Sequence, residues 1–343
     1  MRAAVMRDSK IVVDTLPDPE PQQGETLVRT IVCGICGSDL HALKHTRLMV
    51  EASLEAGAPF VMDPERDVVM GHEFCAEIVD HGPNTSTRLK AGTQVVSVPM
   101  VFRGGGIQGV GYSNDVPGGY GELMVLAEPL LLQVPNGLTA DHAALTEPMA
   151  VGVHAVAMSR LEKQDAAIVV GAGPVGLAVI AALKLQQVEP IIAADFSPLR
   201  RSLAEQQGAH VVVDPKERSP FAAATEVAAA RPTVVFEAVG VPGILQGIMK
   251  EAPRNARIVV VGVCMQEDRI KPMVAIGKEL SMQFVLGYTP EEFAQTLQAI
   301  ADGRIDVVPL ITGRVGVEGV AGAFEELAEP DRHAKILVEP GRR

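Results

Sequence analysis

The sequence predicts an α/β protein built in two parts, a β-rich region followed by a doubly wound parallel sheet, and three observations predict it. The chain has 343 residues, more than a single hydrophobic core usually supports. Up to about residue 130, short β-branched runs are interrupted by Gly, Pro and Asn, which is typical of strands joined by loops. From about residue 153, apolar strand-like runs alternate with helix-like stretches, which indicates βαβ units around a parallel sheet.

The elements of the first part follow from β-branched residues bounded by turn residues. Strands are predicted at residues 11–13, 27–33, 75–80, 94–98 and 122–125. A helix is predicted from Arg47 to Ala56, where the residues have a helical pattern. It is expected to end at Gly57, because glycine commonly terminates helices.

The elements of the second part alternate in type. Strands are predicted at 167–170, 190–194, 211–213, 233–236 and 258–263, and helices at 174–186, 198–207, 219–230 and 243–252. A further strand is expected within 280–286, and a helix at 290–302 and a strand at 334–338 are expected to return to the first part. We therefore expect domains at 1–152 and 153–287, with 288–343 belonging to the first.

Composition excludes several classes of function. The net charge is −12, and the chain has three Tyr and no Trp. A phosphate backbone would be repelled by this charge, and bases would find few aromatic rings on which to stack. Nucleic acid is therefore not an expected partner.

The first residues read as a strand with scattered charges and contain no apolar leader core, so we expect a cytoplasmic protein. Residues 166–183 lack charge over a length that hints at a membrane span, but the run Gly171-Ala172-Gly173-Pro174 interrupts it. No membrane association is expected. The four cysteines are too few for a disulfide framework, and Cys33, Cys75 and Cys264 are predicted to be buried structural thiols.

A glycine-rich run lies between a predicted strand and a predicted helix, at Gly171-Ala172-Gly173-Pro174-Val175-Gly176. This spacing allows a tight turn and points a helix amino terminus at a pyrophosphate. Asp195 ends the next apolar run, where a carboxylate would bind both ribose hydroxyls and repel a 2′-phosphate. The sequence therefore favours NAD over NADP, the alternative being a plain glycine turn with a solvated Asp195.

Candidate metal ligands come from three separate segments, with Cys36 in the first, His72 and Glu73 in the second, and Glu147 in the third. A thiolate, an imidazole and a carboxylate suit zinc with one position left open, and such an ion is a Lewis acid. Three other interpretations remain open. Cys36 could be a small buried residue or half of a redox pair with Cys33, and Glu147 could be an ordinary carboxylate at a helix amino terminus.

Taken together, these segments resemble the zinc-dependent medium-chain dehydrogenase/reductase family, of the alcohol and polyol dehydrogenase type. The resemblance covers essentially the whole chain, through the motifs CGICGSDLH, GHE, EP, GAGPVG, FEAVG and HAKILV in that order. It implies a GroES-like catalytic domain that binds zinc and a Rossmann domain that binds NAD.

The resemblance also implies roles for single residues. Cys36 and His72 match two zinc ligands, Glu73 is either a ligand or the carboxylate behind the metal, and Glu147 matches the Glu before Pro of polyol-type members. Whether Glu73, Glu147 or water completes the zinc shell is left open. Asp39 matches the carboxylate that orients His72. Ser38 and His41 match the residues that relay the alcohol proton. The positions that contact the cofactor are matched by Arg200, Val239 and Lys335.

The sequence departs from the family in two places. Residues 98–122, where many members carry four cysteines for a structural zinc, contain none, so one zinc per subunit is expected. The segment between His41 and Gly71 looks longer than in compact members, and residues 42–66 within it are predicted to shape the alcohol pocket together with 103–115. The alternative is that this segment is a surface loop that does not contact the substrate.

The sequence therefore predicts an enzyme that transfers a hydride between NAD and a secondary, polyol or cyclic alcohol. A physiological ketone or aldehyde reductase of the same family, or a nucleotide-binding protein without turnover, are the alternatives. The small-molecule alcohol or ketone is the expected partner. An exposed edge strand within 280–286 also predicts a homodimer or homotetramer.

Overall fold

The predicted alternation of strands and helices forms two large sheets and two hairpins in the computed structural model, which describes residues 1–57 and 62–342. The strands are β1 (Arg2–Arg7), β2 (Lys10–Thr15), β3 (Glu25–Gly34), β4 (Glu73–His81), β5 (Gln94–Ser97), β6 (Met100–Arg103), β7 (Gly106–Gly109), β8 (Leu123–Ala127), β9 (Leu131–Gln133), β10 (Ala166–Val170), β11 (Ile191–Ala194), β12 (Val211–Val213), β13 (Thr233–Glu237), β14 (Arg257–Val260), β15 (Ser281–Phe284), β16 (Ile311–Val315) and β17 (Lys335–Val338). The helices are α1 (Gly37–Ala56), α2 (Ala140–Ala144), α3 (Thr146–Met158), α4 (Pro174–Leu185), α5 (Pro198–Gln207), α6 (Pro220–Ala228), α7 (Ile244–Glu251), α8 (Pro272–Lys278), α9 (Pro290–Ala301) and α10 (Val320–Leu327).

The second part of the chain is a six-stranded parallel sheet in the order β12-β11-β10-β13-β14-β15. Apolar residues of β10, β11 and β13 are almost completely buried, because helices cover the sheet. The strand order reverses at β10, and ligands of such sheets bind at the carboxyl ends of strands next to this point. The predicted α/β class with a doubly wound sheet is confirmed.

Strands of the first part of the chain, together with β16 and β17 from its last forty residues, form a mainly antiparallel sheet in the order β16-β17-β3-β4-β5-β9, with β8 paired to β3. The last strand, β17, lies beside β3 with Leu337 opposite Gly34. The end of the chain is thereby packed against the segment that leads into Cys36.

Local predictions differ from the structure at three places. The helix predicted from Arg47 begins at Gly37 and ends as expected at Gly57, whose φ of 65° is left-handed. The residues Gly37, Ser38 and Asp39 resemble a loop in sequence, but Asp39 accepts the backbone N–H of Cys36 at 3.0 Å and so caps the helix. The strand predicted at 258–263 ends at Val260, because the next two N–H groups donate to the carbonyl of Glu237.

The third difference concerns the cysteines. Cys33 and Cys75 are fully buried, as predicted. The prediction for Cys264 is wrong, because β14 ends before it and its thiol is only half-buried, donating to the carbonyl of Gln266 at 3.3 Å. Among the described residues, no helix is long and apolar enough to cross a bilayer, and the uncharged run 166–183 is divided into β10, the glycine turn and α4.

Candidate active site

The pairing of β3 with β4 assembles the candidate metal ligands. The two strands are antiparallel, with Gly34 at the end of β3 opposite Glu73 at the start of β4. Cys36 follows β3 by two residues, and His72 directly precedes β4, so the three donors arrive at the same edge of the sheet. A side chain at Gly34 would collide with the carboxylate of Glu73.

Cys36, His72 and Glu73 each offer one donor atom, and these atoms all lie within 4.8 Å of one another. His72 and Glu73 are buried, and Cys36 stands at the amino terminus of α1, where the helix dipole favours negative charge. Sulfur, nitrogen and oxygen donors at this spacing fit a zinc ion. Within 1–57 and 62–342, this is the one group of three candidate ligands found so close together.

Asp39 supports His72 from behind. Its carboxylate is completely buried, and its Oδ1 lies 3.4 Å from Nδ1 of His72. Burial disfavours the charged carboxylate, but the imidazole of His72 and the hydrogen bonds from Tyr120 and the Cys36 N–H together outweigh it and lower the pKa of Asp39. A carboxylate behind a ligand histidine fixes the orientation of its ring.

Glu73 is held by Lys335. Nζ of Lys335 lies 2.7 and 2.6 Å from the two carboxylate oxygens and donates to the carbonyl of Ile35 at 3.0 Å. Burial opposes the charge of Lys335, yet Glu73 and Cys36 outweigh it and raise its pKa. Lys335 also lines a crevice with Pro174 of α4, so a contact of Lys335 with the cofactor stays a prediction.

Glu147 lies in the first turn of α3, outside the group of three close donors. Its Oε1 accepts the hydroxyl of Tyr288 at 2.9 Å. Burial, opposed by His72, raises the pKa of Glu147 to about 7. The charges of the candidate ligands His72 and Glu73 therefore act on the carboxylate of Glu147. Its role as a metal ligand stays a prediction.

The two predicted relay residues lie on the first turns of α1. Ser38 Oγ is 2.8 Å from the hydroxyl of Tyr112. His41 is half-buried, and burial, followed by the charges of His45 and Lys44, lowers its pKa. A neutral imidazole at this place can accept a proton.

The glycine turn joins β10 to α4 with the geometry that its spacing predicts. Gly171 has a φ of 93°, and a side chain at Gly176 would collide with the carbonyl of Gly171. Asp195, at the end of β11, accepts the N–H groups of Ala172 and Ser197 at 2.8 Å each. The loop that would carry a pyrophosphate is thus joined to the carboxylate that would bind a ribose.

Two further predicted cofactor residues surround this turn. The side chain of Val239 lies against Gly171, and the guanidinium of Arg200 lies 3.9 Å from Asp195 and close to Gly173. Nε of Arg200 is buried and has no hydrogen-bond partner among the residues that the structure describes.

The two segments predicted to shape the alcohol pocket contact each other, although 58–61 lie outside the described residues. Asn114 accepts the N–H of Asp63 at 2.7 Å, and Arg66 pairs with Asp115 at 2.7 Å. The same glycine-rich loop carries Tyr112 to His72, with ring centroids 5.2 Å apart. One of the two segments therefore reaches the metal ligands.

Sequence reasoning missed Tyr112, Tyr120 and Tyr288, and it missed the pairing of Lys335 with Glu73. The only available signal for the tyrosines is their scarcity, since the chain has three in all. The lysine pair joins residues 262 positions apart, and nothing local marks it.

A parallel sheet with a dinucleotide-type turn, next to a cluster of zinc-type donors, defines a metal-dependent oxidoreductase that uses a nicotinamide cofactor. Comparison with known families agrees. Residues 22–136 match the alcohol dehydrogenase GroES-like domain, and residues 174–302 match the zinc-binding dehydrogenase domain.

Individual relatives align over nearly their whole length. The chain is 31% identical to (R,R)-butanediol dehydrogenase of Bacillus subtilis, over 99% of this chain and 100% of the relative. It is 27% identical to sorbitol dehydrogenase of the same organism, over 100% and 98%. The crystal structure of 2R,3R-butanediol dehydrogenase from Bacillus subtilis matches with a TM-score of 0.85 and 29% identity, over 99% of both chains.

The chain belongs to the zinc-dependent medium-chain dehydrogenase family of alcohol and polyol dehydrogenases. It is a zinc-dependent, NAD-linked oxidoreductase, which confirms the predicted enzyme class and cofactors.

Proposed function

We propose that Cys36, His72 and Glu73 hold the catalytic zinc and that the enzyme oxidises a vicinal diol or a related secondary alcohol with NAD. The observation that carries this proposal is the meeting of three zinc-type donor atoms within 4.8 Å of one another. The names of the relatives, butanediol and sorbitol dehydrogenases, support a substrate with neighbouring hydroxyl groups.

Zinc supplies Lewis acidity, which withdraws charge from an alcohol oxygen and eases loss of hydride to nicotinamide. The protein supplies orientation and proton transfer. Asp39 turns the ring of His72, and Lys335 neutralises Glu73 in a site that excludes water. Glu147, held by Tyr288, is assigned as a fourth candidate ligand facing the same centre.

Ser38 and His41 are assigned to the proton relay. Residues three apart on a helix lie on the same face, so the two side chains point to one side of α1. Ser38 would accept the alcohol proton while it releases its own hydroxyl proton, and His41, neutral at pH 7 because its pKa is lowered, would take up that released proton.

The cofactor is assigned to the glycine turn 171–176, with Val239 and Arg200 beside it and Asp195 on the ribose. A carboxylate at Asp195 repels a 2′-phosphate, which supports NAD rather than NADP. The domain limits are proposed as 1–152, 153–287 and 288–343. They are supported by the sheets, because β10–β15 form a separate parallel sheet and β17 pairs with β3 of the first domain.

A homo-oligomer is proposed from the edge strand β15. Phe284 and Leu286 expose 63% and 67% of their surface beside unpaired backbone. Pairing with the same strand of a second copy would bury them. A cytoplasmic location is supported by four cysteines without a disulfide.

One experiment tests the proposed function directly. Purified protein is analysed for zinc and then assayed for NADH formation with the stereoisomers of 2,3-butanediol, with sorbitol and with simple secondary alcohols. We expect one zinc per chain and the fastest turnover with a vicinal diol. Protein that carries zinc but oxidises none of these diols would refute the substrate class, and Cys36→Ser protein that keeps its zinc would refute the ligand set.

A further inference from the structure

All three tyrosines of the chain lie at the candidate metal centre. The sequence contains three Tyr and no Trp, and each tyrosine hydroxyl bonds to a carboxylate of this site. Tyr112 and Tyr120 reach Asp39, and Tyr288 reaches Glu147. The family motifs contain neither Tyr112 nor Tyr120, so their place here comes from the geometry alone.

The two tyrosines on Asp39 hold different oxygen atoms. Tyr120 donates to Oδ2 at 2.7 Å, which also accepts the N–H of Cys36 at 3.0 Å. Tyr112 donates to Oδ1 at 3.0 Å, and this is the oxygen that lies 3.4 Å from Nδ1 of His72. With a donor on each oxygen, the plane of the carboxylate cannot rotate without breaking a buried hydrogen bond.

Tyr112 has a second partner, Ser38. Its hydroxyl oxygen lies 2.8 Å from Ser38 Oγ. An ionised carboxylate only accepts, so Tyr112 gives its single proton to Asp39 and accepts the proton of Ser38. In this resting orientation the lone pairs of Ser38 can accept the alcohol proton, and the Ser38 proton turns from Tyr112 towards His41 when the proposed relay operates.

The backbone makes room for these rings. Residues 118–120 pair with 69–71, with the N–H of Tyr120 donating to Met70 at 3.0 Å. A Cβ at Gly71 would stand 2.7 Å from the ring of Tyr120, and the φ of Gly71 is +103°. A glycine in front of His72 is therefore what allows Tyr120 to reach Asp39.

We propose that Tyr112 and Tyr120 are positioning residues, which lock the carboxylate of Asp39 so that it fixes the Nδ1–H tautomer of His72 and leaves Nε2 for the metal. Tyr112 additionally orients the hydroxyl of Ser38. The inference rests on the proposed zinc site and adds to it two residues that act through the carboxylate of Asp39.

The test uses zinc-loaded wild type, Tyr112→Phe, Tyr120→Phe and the double variant, each of which keeps the aromatic ring. The rate of zinc transfer to a coloured chelator is measured, since loss of a group behind a metal ligand costs about 10- to 100-fold in metal affinity. We expect about tenfold faster zinc loss for each single variant and about 100-fold for the double variant. The d–d absorption of cobalt-substituted protein should shift in the same order. Thr296→Val, which removes a buried hydroxyl from α9, is the control and should match wild type.

Separate outcomes address the two claims. Wild-type protein that binds no zinc would refute the proposed function, whatever the tyrosine variants do. If wild type binds one zinc and the tyrosine variants release zinc at the wild-type rate and show the wild-type cobalt absorption, the role of the tyrosines is overturned. Slow turnover with an unchanged KM in Tyr112→Phe but not in Tyr120→Phe supports the orientation of Ser38, and equal turnover in both overturns it. Should one tyrosine variant fail to fold, the other single variant, measured in the same way, decides the proposal.

Discussion

Lys335 grips both carboxylate oxygens of Glu73, at 2.7 and 2.6 Å, where neither side chain reaches solvent. The pair joins the last strand of the chain to the first residue of β4, 262 positions earlier. A buried charge without its partner is strongly destabilising. The metal site and the carboxy-terminal segment therefore depend on each other for stability.

Replacement of this lysine tests that dependence. In zinc-free protein, Lys335→Met leaves the carboxylate of Glu73 buried and unpaired, so we expect the free energy of unfolding to fall by about 3–5 kcal/mol. Urea denaturation followed by circular dichroism measures it. Lys163→Met, at an exposed lysine, is the control. Equal losses in the two variants would contradict a special role for the pair, and partial recovery in Lys335→Met/Glu73→Gln would support it.

The proton relay predicts a pH dependence with a definite sign. The pKa of His41 lies below its ordinary value of 6.5, because of burial and the charges of His45 and Lys44. His41 accepts a proton only when neutral, so its contribution to alcohol oxidation should be constant above pH 6.5 and should fall as the pH drops through this lowered pKa. Ser38→Ala and His41→Ala should slow oxidation about 10²-fold, and the latter should also lose this acid limb.

A neighbouring histidine supplies the control for the relay. In His45→Gln the repulsion between two imidazolium rings is absent, so the pKa of His41 should rise and the acid limb should move to higher pH. Profiles of kcat against pH measure both effects. An acid limb that survives in His41→Ala would remove this residue from the mechanism.

Much of the fold was predictable because its signals are local. The turn 171–176 needs glycine at Gly171 and Gly176 for φ and for close approach, and the sequence shows both. The same holds for the end of α1 at Gly57, where φ is left-handed. The beginning of α1 was not predictable, because Gly37 and Ser38 are typical of loops and the capping carboxylate of Asp39 is recognised only in three dimensions.

The grouping of the candidate ligands was predictable, but the residues that support them were not. Cys36, His72 and Glu73 are chemically distinctive in sequence, and the pairing of β3 with β4 brings them together. Tyr120 and Lys335 reach the site from segments far along the chain, and no periodicity or spacing records such contacts. Distance in sequence, rather than weak chemistry, is what hides these residues.

The choice of cofactor should depend on Asp195. This carboxylate accepts two backbone N–H groups, with Arg200 at 3.9 Å and Arg201 bonded to its carbonyl. Asp195→Asn removes the negative charge and leaves both guanidinium groups, so we expect KM for NAD to rise about tenfold, as loss of a charged hydrogen bond implies, and NADP to become a usable cofactor.

Initial rates with NAD and NADP measure this preference. Asp214→Asn is the control, because Asp214 pairs with Arg201 at 3.1 Å but ends the neighbouring strand β12. It should leave the ratio of the two cofactors unchanged. An unaltered ratio in Asp195→Asn would show that another group selects NAD.

The oligomeric state should depend on the edge of the parallel sheet. In Leu286→Lys a charge replaces an apolar side chain that is 67% exposed next to β15, and such charges block pairing of strands between copies. We expect sedimentation velocity to show a dimer or tetramer for wild type and a smaller species for the variant. Leu54→Lys, at a position 60% exposed on α1, should keep the wild-type mass. A variant at Leu286 that sediments with the wild-type mass would place the subunit contact elsewhere.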